Sequence, residues 1–385
     1  MGERAPVDPV GGTGHAARVS AYAAVGARLS LLSDRRLRDV VAGARGLGSG
    51  VGGRAAELEA DGLRVFVKRV PLTDLELTAD RIRSTANLFE LPLFYQYGVG
   101  SSGFGAWREL AAHLMTTSWV LSDEYAGFPL LYHWRVLPDS PPDGFADEFG
   151  GVEGAVAHWE GSAAVRRRLE AIGAASASLV LFLEHVPHTL ADWLRDTRHA
   201  AGPGPTDGPA NGPAHGSISA SADGSWAYLW AEDALREGTE FMSGRGLVHF
   251  DAHFRNLLTD GRRVYFADLG LALSRDFELS AAERRFLTDH LPYDRSYVPT
   301  HLLRHHLPDE VRGGVEPGAF LRAWTAGVRP GSVPPGLAAL IDRHAPHALV
   351  LDDFHHRLLT RSKHTPFPTV EVLRALAAGS PAASG

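Results

Sequence analysis

Residues 246–273 read G-L-V-H-F-D-A-H-F-R-N-L-L-T-D-G-R-R-V-Y-F-A-D-L-G-L-A-L. Asp251 is followed five residues later by Asn256, and Asp268 and Gly270 stand near the far end. Between them Thr259-Asp260-Gly261 is a turn by composition, and Val264 to Ala267 is the short apolar run of a buried strand. The stretch therefore predicts two loops flanking a hairpin, which returns its ends to one edge and gathers Asp251, Asn256 and Asp268. Such a set suits phosphoryl transfer, where the protein positions an acceptor and metal ions neutralise charge. Asp251 can accept a hydroxyl proton, and Asn256 and Asp268 offer the hard oxygens that Mg2+ prefers.

With these residues in place, the pattern His249-x-Asp251-x-x-x-x-Asn256 followed by Asp268-x-Gly270 resembles the catalytic and metal-binding loops of the protein kinase-like superfamily. The resemblance implies an α+β chain of two lobes, a small antiparallel-sheet N-lobe with a helix and a mainly helical C-lobe. It also implies ATP and Mg2+ as cofactors, with Asp251 as catalytic base and Asn256 and Asp268 as metal ligands. Recognisable motifs cover residues 46–290.

Upstream, Gly48, Gly50 and Gly53 match G-x-G-x-x-G, a weak signal alone in a chain with 42 glycines. The context strengthens it, because an Asp61-Gly62 turn and a strand from Leu63 to Lys68 follow, making a hairpin that carries a phosphate-approaching loop and a cation. The family pattern has valine two residues after the third glycine, whereas Ala55 stands here. Kinase-like use of Lys68 requires a glutamate to hold it, and Glu76, Glu90 and Glu109 are the candidates. Glu109 is preferred, since Leu110, His113 and Leu114 around it have helical spacing. Residues 72–105 are then an insertion, whose own glycine and serine loop, Gly98 to Gly105, either touches substrate or introduces the helix.

Leading helices are expected over 15–41, a strand over 128–137, a helix over 162–177 and an apolar strand over 178–184. By resemblance this last strand is the connection between lobes, with Leu183 behind the adenine and the backbone of Glu184 and Val186 holding its edge. A long helix over 226–243 leads into the catalytic stretch. The expected organisation is 1–41 as tail and leading helices, 42–183 as N-lobe with insertions, and 184–378 as C-lobe. A mobile tail over 1–14, a disordered Gly/Pro/Ala/Ser stretch over 199–225 and fraying after Ala378 are expected from composition.

The formal charge of −7 gives no electrostatic reason to expect nucleic acid or an anionic membrane as partner. The absence of cysteine excludes disulfides and thiolate metal sites and is compatible with a cytoplasmic location. Neither a signal peptide nor a membrane span is expected.

For the acceptor the residues point both ways. Phe250 stands where many protein kinases have an arginine that answers activation-loop phosphorylation, implying constitutive competence, although core packing explains it equally well. His253 gives the D-x-H of aminoglycoside-type small-molecule kinases, while Asp268-Leu-Gly-Leu-Ala resembles the protein kinase metal loop. No Ala-Pro-Glu follows. The expected acceptor is Ser or Thr of a protein or peptide, ahead of a small-molecule alcohol and of a pseudokinase or scaffold. His301, His305 and His306 have helical spacing and are expected to be solvated or packed rather than metal ligands.

Overall fold

The computed structural model describes residues 14–50, 52–142, 144–200 and 225–379. The tail expected before residue 14, the stretch over 201–224 and the end beyond 379 lie outside them. Two helices lead, α1 (His15–Ser30) and α2 (Asp34–Ala42), over the expected range, and bury Val25, Leu29 and Leu37. The Ser33 hydroxyl caps α2 by accepting the Arg36 N–H.

The strands β1 (Arg45–Gly50), β2 (Gly53–Ala60) and β3 (Leu63–Leu72) follow. Asp61 and Gly62 both have positive φ, 51° and 75°, the turn that matches the twist of a two-residue hairpin. After α3 (Asp74–Leu77) and α4 (Ala106–Leu121) comes β4 (Leu131–Pro138), then α5 (Val152–His158) and α6 (Ala163–Gly173), then β5 (Ala177–Glu184). The five strands form one antiparallel sheet in the order β1-β2-β3-β5-β4.

Alternation along β3 decides where its charge goes. Val65 and Val67 point into the larger core, while Lys68 shares the other face with Val70 and Leu72. That face packs against Ala106, Trp107 and Leu110 of α4 and against Leu179, Leu181 and Leu183 of β5. Lys68 therefore extends beneath α4, on the side where Glu109 stands in the helix's first turn.

The remainder is mainly helical. It runs through β6 (His188–Thr189), α7 (Leu190–Ala200), α8 (Trp226–Gly244), β7 (Leu247–Val248), β8 (Leu257–Thr259), β9 (Val264–Phe266) and β10 (Leu273–Ser274). Then follow α9 (Ala281–His290), α10 (Tyr293–His305), α11 (Asp309–Arg312), α12 (Pro317–Thr325), α13 (Pro335–Thr360) and α14 (Thr369–Gly379). β8 and β9 make the expected hairpin, and β7 pairs with β10, so the segments before Asp251 and after Asp268 lie side by side. The architecture is α+β. Among the described residues no helix is long and apolar enough to cross a membrane.

Candidate active site

The loop between β7 and β8 is fixed by its own side chains. Asp251 N–H donates to His249 Nδ1 at 3.3 Å, so that nitrogen carries no proton and the other, Nε2, donates to the Ala267 carbonyl at 2.9 Å. Burial holds His249 neutral, with its pKa down at about 4. The imidazole thus ties the Asp251 loop to the strand end that presents Asp268. Asn256 Nδ2 donates to the Asp251 carbonyl at 3.0 Å and to Asp251 Oδ2 at 2.9 Å, while the Ala267 N–H donates to the Asn256 carbonyl at 3.0 Å.

Lys68 reaches this place from the sheet. Its Nζ donates to Asp268 Oδ1 at 2.7 Å and makes an ion pair with Glu109 Oε1, also at 2.7 Å. Burial alone would lower the Lys68 pKa, but Asp268 and Glu109 raise it, so the ammonium stays charged. Burial pushes Asp268 up and Lys68 draws it down to about 2, whereas Glu109, more deeply enclosed, stays raised by burial. Asp251 is pushed up to about 8, chiefly by burial and then by the Asp268 charge. Of the candidate glutamates, Glu76 is spent elsewhere. Its carboxylate accepts from the Thr73 and Ala106 N–H groups and from Arg168, organising the start of α4. Glu90 lies on the expected insertion with a positive φ of 55° and no ion pair among the described residues.

The second glycine loop turns out to form a wall of the site. Gly98, Gly100, Ser101, Ser102, Gly103 and Gly105 line the same cleft as Lys68, Glu109, Asp251 and Asp268. An ideal Cβ on Gly98 would fall 2.1 Å from Asp251 Oδ1, and one on Gly103 would fall 2.7 Å from the Gly270 carbonyl. Only glycine permits these approaches. Asp251 Oδ1 is buried there without a hydrogen-bond partner.

The first glycine loop meets the cleft at Gly52. Gly52 lines the cleft, 3.7 Å from Lys68 Nζ when a Cβ is placed on it, whereas Gly48 and Gly53 do not line it. Gly50 and Gly53 pair across the turn, and Gly53 is needed because a Cβ there would meet the Arg69 carbonyl at 2.2 Å. At the end of β5 the Glu184 N–H is already committed to the Leu130 carbonyl at 2.8 Å, while the Val186 N–H has no partner among the described residues. Glu184 Oε1 and Oε2 accept from Arg18 at 2.9 and 2.7 Å.

Asp294 and Arg18 thus belong to the site's frame, yet no local pattern in the sequence marks them, whereas Gly98 opens the glycine and serine loop expected either to touch substrate or to introduce the helix. Asp294 accepts the backbone N–H groups of His249 and Phe250. His301, His305 and His306 lie apart from the cleft, and among the described residues no group of three or more histidine and carboxylate side chains is arranged for a metal. Scans against protein-family models and against curated proteins find no match for the chain.

Proposed function

We propose that the protein is an ATP- and Mg2+-dependent phosphotransferase of two-lobed, protein kinase-like fold that places the terminal phosphate on a hydroxyl. The observation that carries this is the meeting of Glu109 and Asp268 at Lys68 Nζ, both at 2.7 Å, in one cleft with Asp251. A five-stranded antiparallel sheet with α4 packed on it, joined through β5 to a helical remainder, supports the two-lobed arrangement.

The donor set suits the proposed cation. Asn256 Oδ1 and Asp268 Oδ2 have no hydrogen-bond partner among the described residues. One amide and one carboxylate fit Mg2+, which keeps waters and takes phosphate oxygens for the rest of its shell. Bound between them, the ion would neutralise and orient the terminal phosphates. Lys68 supplies a fixed positive charge to the phosphates, and Gly52 lets backbone approach them closely. The free Val186 N–H offers a donor to the nucleotide base.

Asp251 receives the acceptor's proton. Its Oδ1 lies under Gly98, so the hydroxyl approaches Oδ2, which Asn256 Nδ2 orients. A carboxyl with a pKa of about 8 exchanges its proton near neutrality, which suits a general base. Ser or Thr of a polypeptide is the favoured acceptor. Incubation with γ-labelled ATP and panels of proteins, peptides and small alcohols tests the assignment. Wild-type protein should transfer label, and Asp251→Asn should bind nucleotide without transferring it. Undiminished transfer by Asp251→Asn would remove the proposed base.

A further inference from the structure

A groove of about 900 Å3 opens beside the catalytic loop, walled by α7 and α10. His253 lines both this groove and the cleft that holds Lys68, Asp251 and Asp268. Its Nε2 lies 3.9 Å from Asp251 Oδ2, the oxygen left open once Gly98 covers Oδ1. The groove therefore leads to the reactive side of the base.

Its charge is one-sided. Asp192 is the carboxylate on its wall among the described residues, and it is bonded to Thr189 Oγ1 at 2.7 Å and to Arg195 at 2.5 Å, so those two charges cancel. Arg198 and Arg255 also line the groove, are exposed, and have no ion-pair partner among the described residues. The imidazoles of His301 and His306 stack on Phe254 at 5.1 and 4.4 Å, and burial keeps both neutral at ordinary pH. The two arginines thus set the potential over an aromatic floor. The trough also continues, past Arg198 and His305, into a recess beside Leu307, where Arg312 is paired with Asp309 and Glu310 adds a carboxylate; the shape suits an extended chain, and the positive potential is confined to the part lined by Arg198 and Arg255.

We propose that this groove seats the acceptor, and that the acceptor is a polypeptide segment with aspartate or glutamate near the Ser or Thr it presents to Asp251. This rests on the phosphotransferase assignment. Acidic side chains lie on Arg198 and Arg255. The hydroxyl oxygen bonds to the terminal phosphorus of ATP as the bond from that phosphorus to the bridging oxygen breaks, ADP leaves, and the hydroxyl proton passes to Asp251.

The test uses labelled serine peptides with Asp/Glu, Ala or Lys flanks, read by fluorescence anisotropy for binding and by phosphate incorporation for transfer. The acidic peptide should bind about tenfold more tightly than the alanine peptide at low salt and lose that advantage as salt rises. Arg198→Glu with Arg255→Glu should invert the order of acidic and lysine peptides. Equal binding of the three peptides, or an order unchanged in the double variant, would overturn the proposal. Transfer to small alcohols but to no peptide would overturn the acceptor assignment and leave phosphotransfer standing. Charge-ordered binding without any transfer would keep the acidic-segment site and remove the phosphotransferase assignment instead.

Discussion

Asp294 holds Phe250 in a conformation that its own side chain disfavours. The residue before Asp251 has φ +65°, and its N–H donates to Asp294 Oδ1 at 3.1 Å while the His249 N–H donates to Oδ2 at 2.6 Å. A bulky residue at positive φ persists only where its surroundings over-determine it. Here the buried ring also packs on Tyr97, Phe286 and Tyr293. Asp294→Ala leaves two buried donors unsatisfied, which costs roughly 2–4 kcal/mol in total. Thermal unfolding should show that loss, Asp294→Asn should show less, and turnover should fall with the freed loop. An unchanged melting temperature in Asp294→Ala would contradict the pinning role.

Lys68 separates two carboxylates that would otherwise face each other. Lys68→Met leaves Glu109, 4% exposed, beside Asp268 without a counter-charge. Removing one partner of a buried ion pair costs of the order of 3 kcal/mol. Part of that should return on mild acidification, as Glu109 takes up a proton and the repulsion ends. Phosphate transfer should drop by about a hundredfold or more, since a fixed charge on the phosphates is lost. Calorimetry across pH and a transfer assay on the same preparation check both halves.

Gly98→Ala should damage chemistry more than folding. Its Cβ would meet Asp251 Oδ1 at 2.1 Å, so the carboxylate must rotate away from Asn256 or the loop must lift. The expected result is a fall in kcat of about tenfold or more with KM for ATP little changed, because misplacement of a base is felt in the transition state. Gly46→Ala, where a Cβ meets nothing within 4 Å, serves as control. Equal kinetics for the two variants would show that the loop does not constrain the base.

The parts of this site that could be read in the sequence are those written in local pattern. The Asp251–Asp268 stretch carries its turn chemistry within itself, and β3 announces the face of Lys68 by alternation. Glu109 stands on the helix that covers that face and pairs with Lys68, while Glu76 is bonded to the start of the same helix. Asp294 and Arg18 act through contacts between segments far apart in the chain, which no periodicity encodes. The glycine pattern fixes a turn without fixing which residue faces inward, and in the structure Gly52 lines the cleft.

Acid should destabilise the protein between pH 6 and 5, although several carboxyls work the other way. His113, His249, His290, His347 and His355 are held by burial at pKa values of about 3 to 4. Their contribution is fully present above about pH 6.5, the unfolded value, and is lost as pH falls, because only the unfolded chain then takes up the protons. Asp251, at about 8, and Asp294, at about 7, bind protons in the folded state first, and raised Glu109 adds to them. These three gain stability on acidification. With His301 and His306, which burial also holds low, the histidines outnumber the raised carboxyls, so the net effect of acidification is a loss of stability. Denaturant midpoints at pH 7, 6 and 5 should fall in that order, and a flat or rising series would mean that the carboxyls win.

Arg18 ties the leading helix to the end of β5. Buried to 4% exposure, it donates to both oxygens of Glu184 and to the carbonyls of Ala126, at 2.9 Å, and Phe128, at 2.6 Å. Such a bidentate pair fixes direction as well as distance, and lysine cannot reproduce it. Arg18→Ala leaves Glu184, 15% exposed at its side chain, without its cation and strands two carbonyls, for a loss of roughly 3 kcal/mol. Because Glu184 also accepts the Leu130 N–H through its side chain at 3.0 Å, the strand end loosens as a unit, and with it Val186 two residues on. Nucleotide affinity should therefore weaken several-fold in Arg18→Ala, and Arg18→Lys should recover little of either loss. A variant that loses stability while binding ATP as wild type does would separate the helix clamp from the nucleotide site and refute the link.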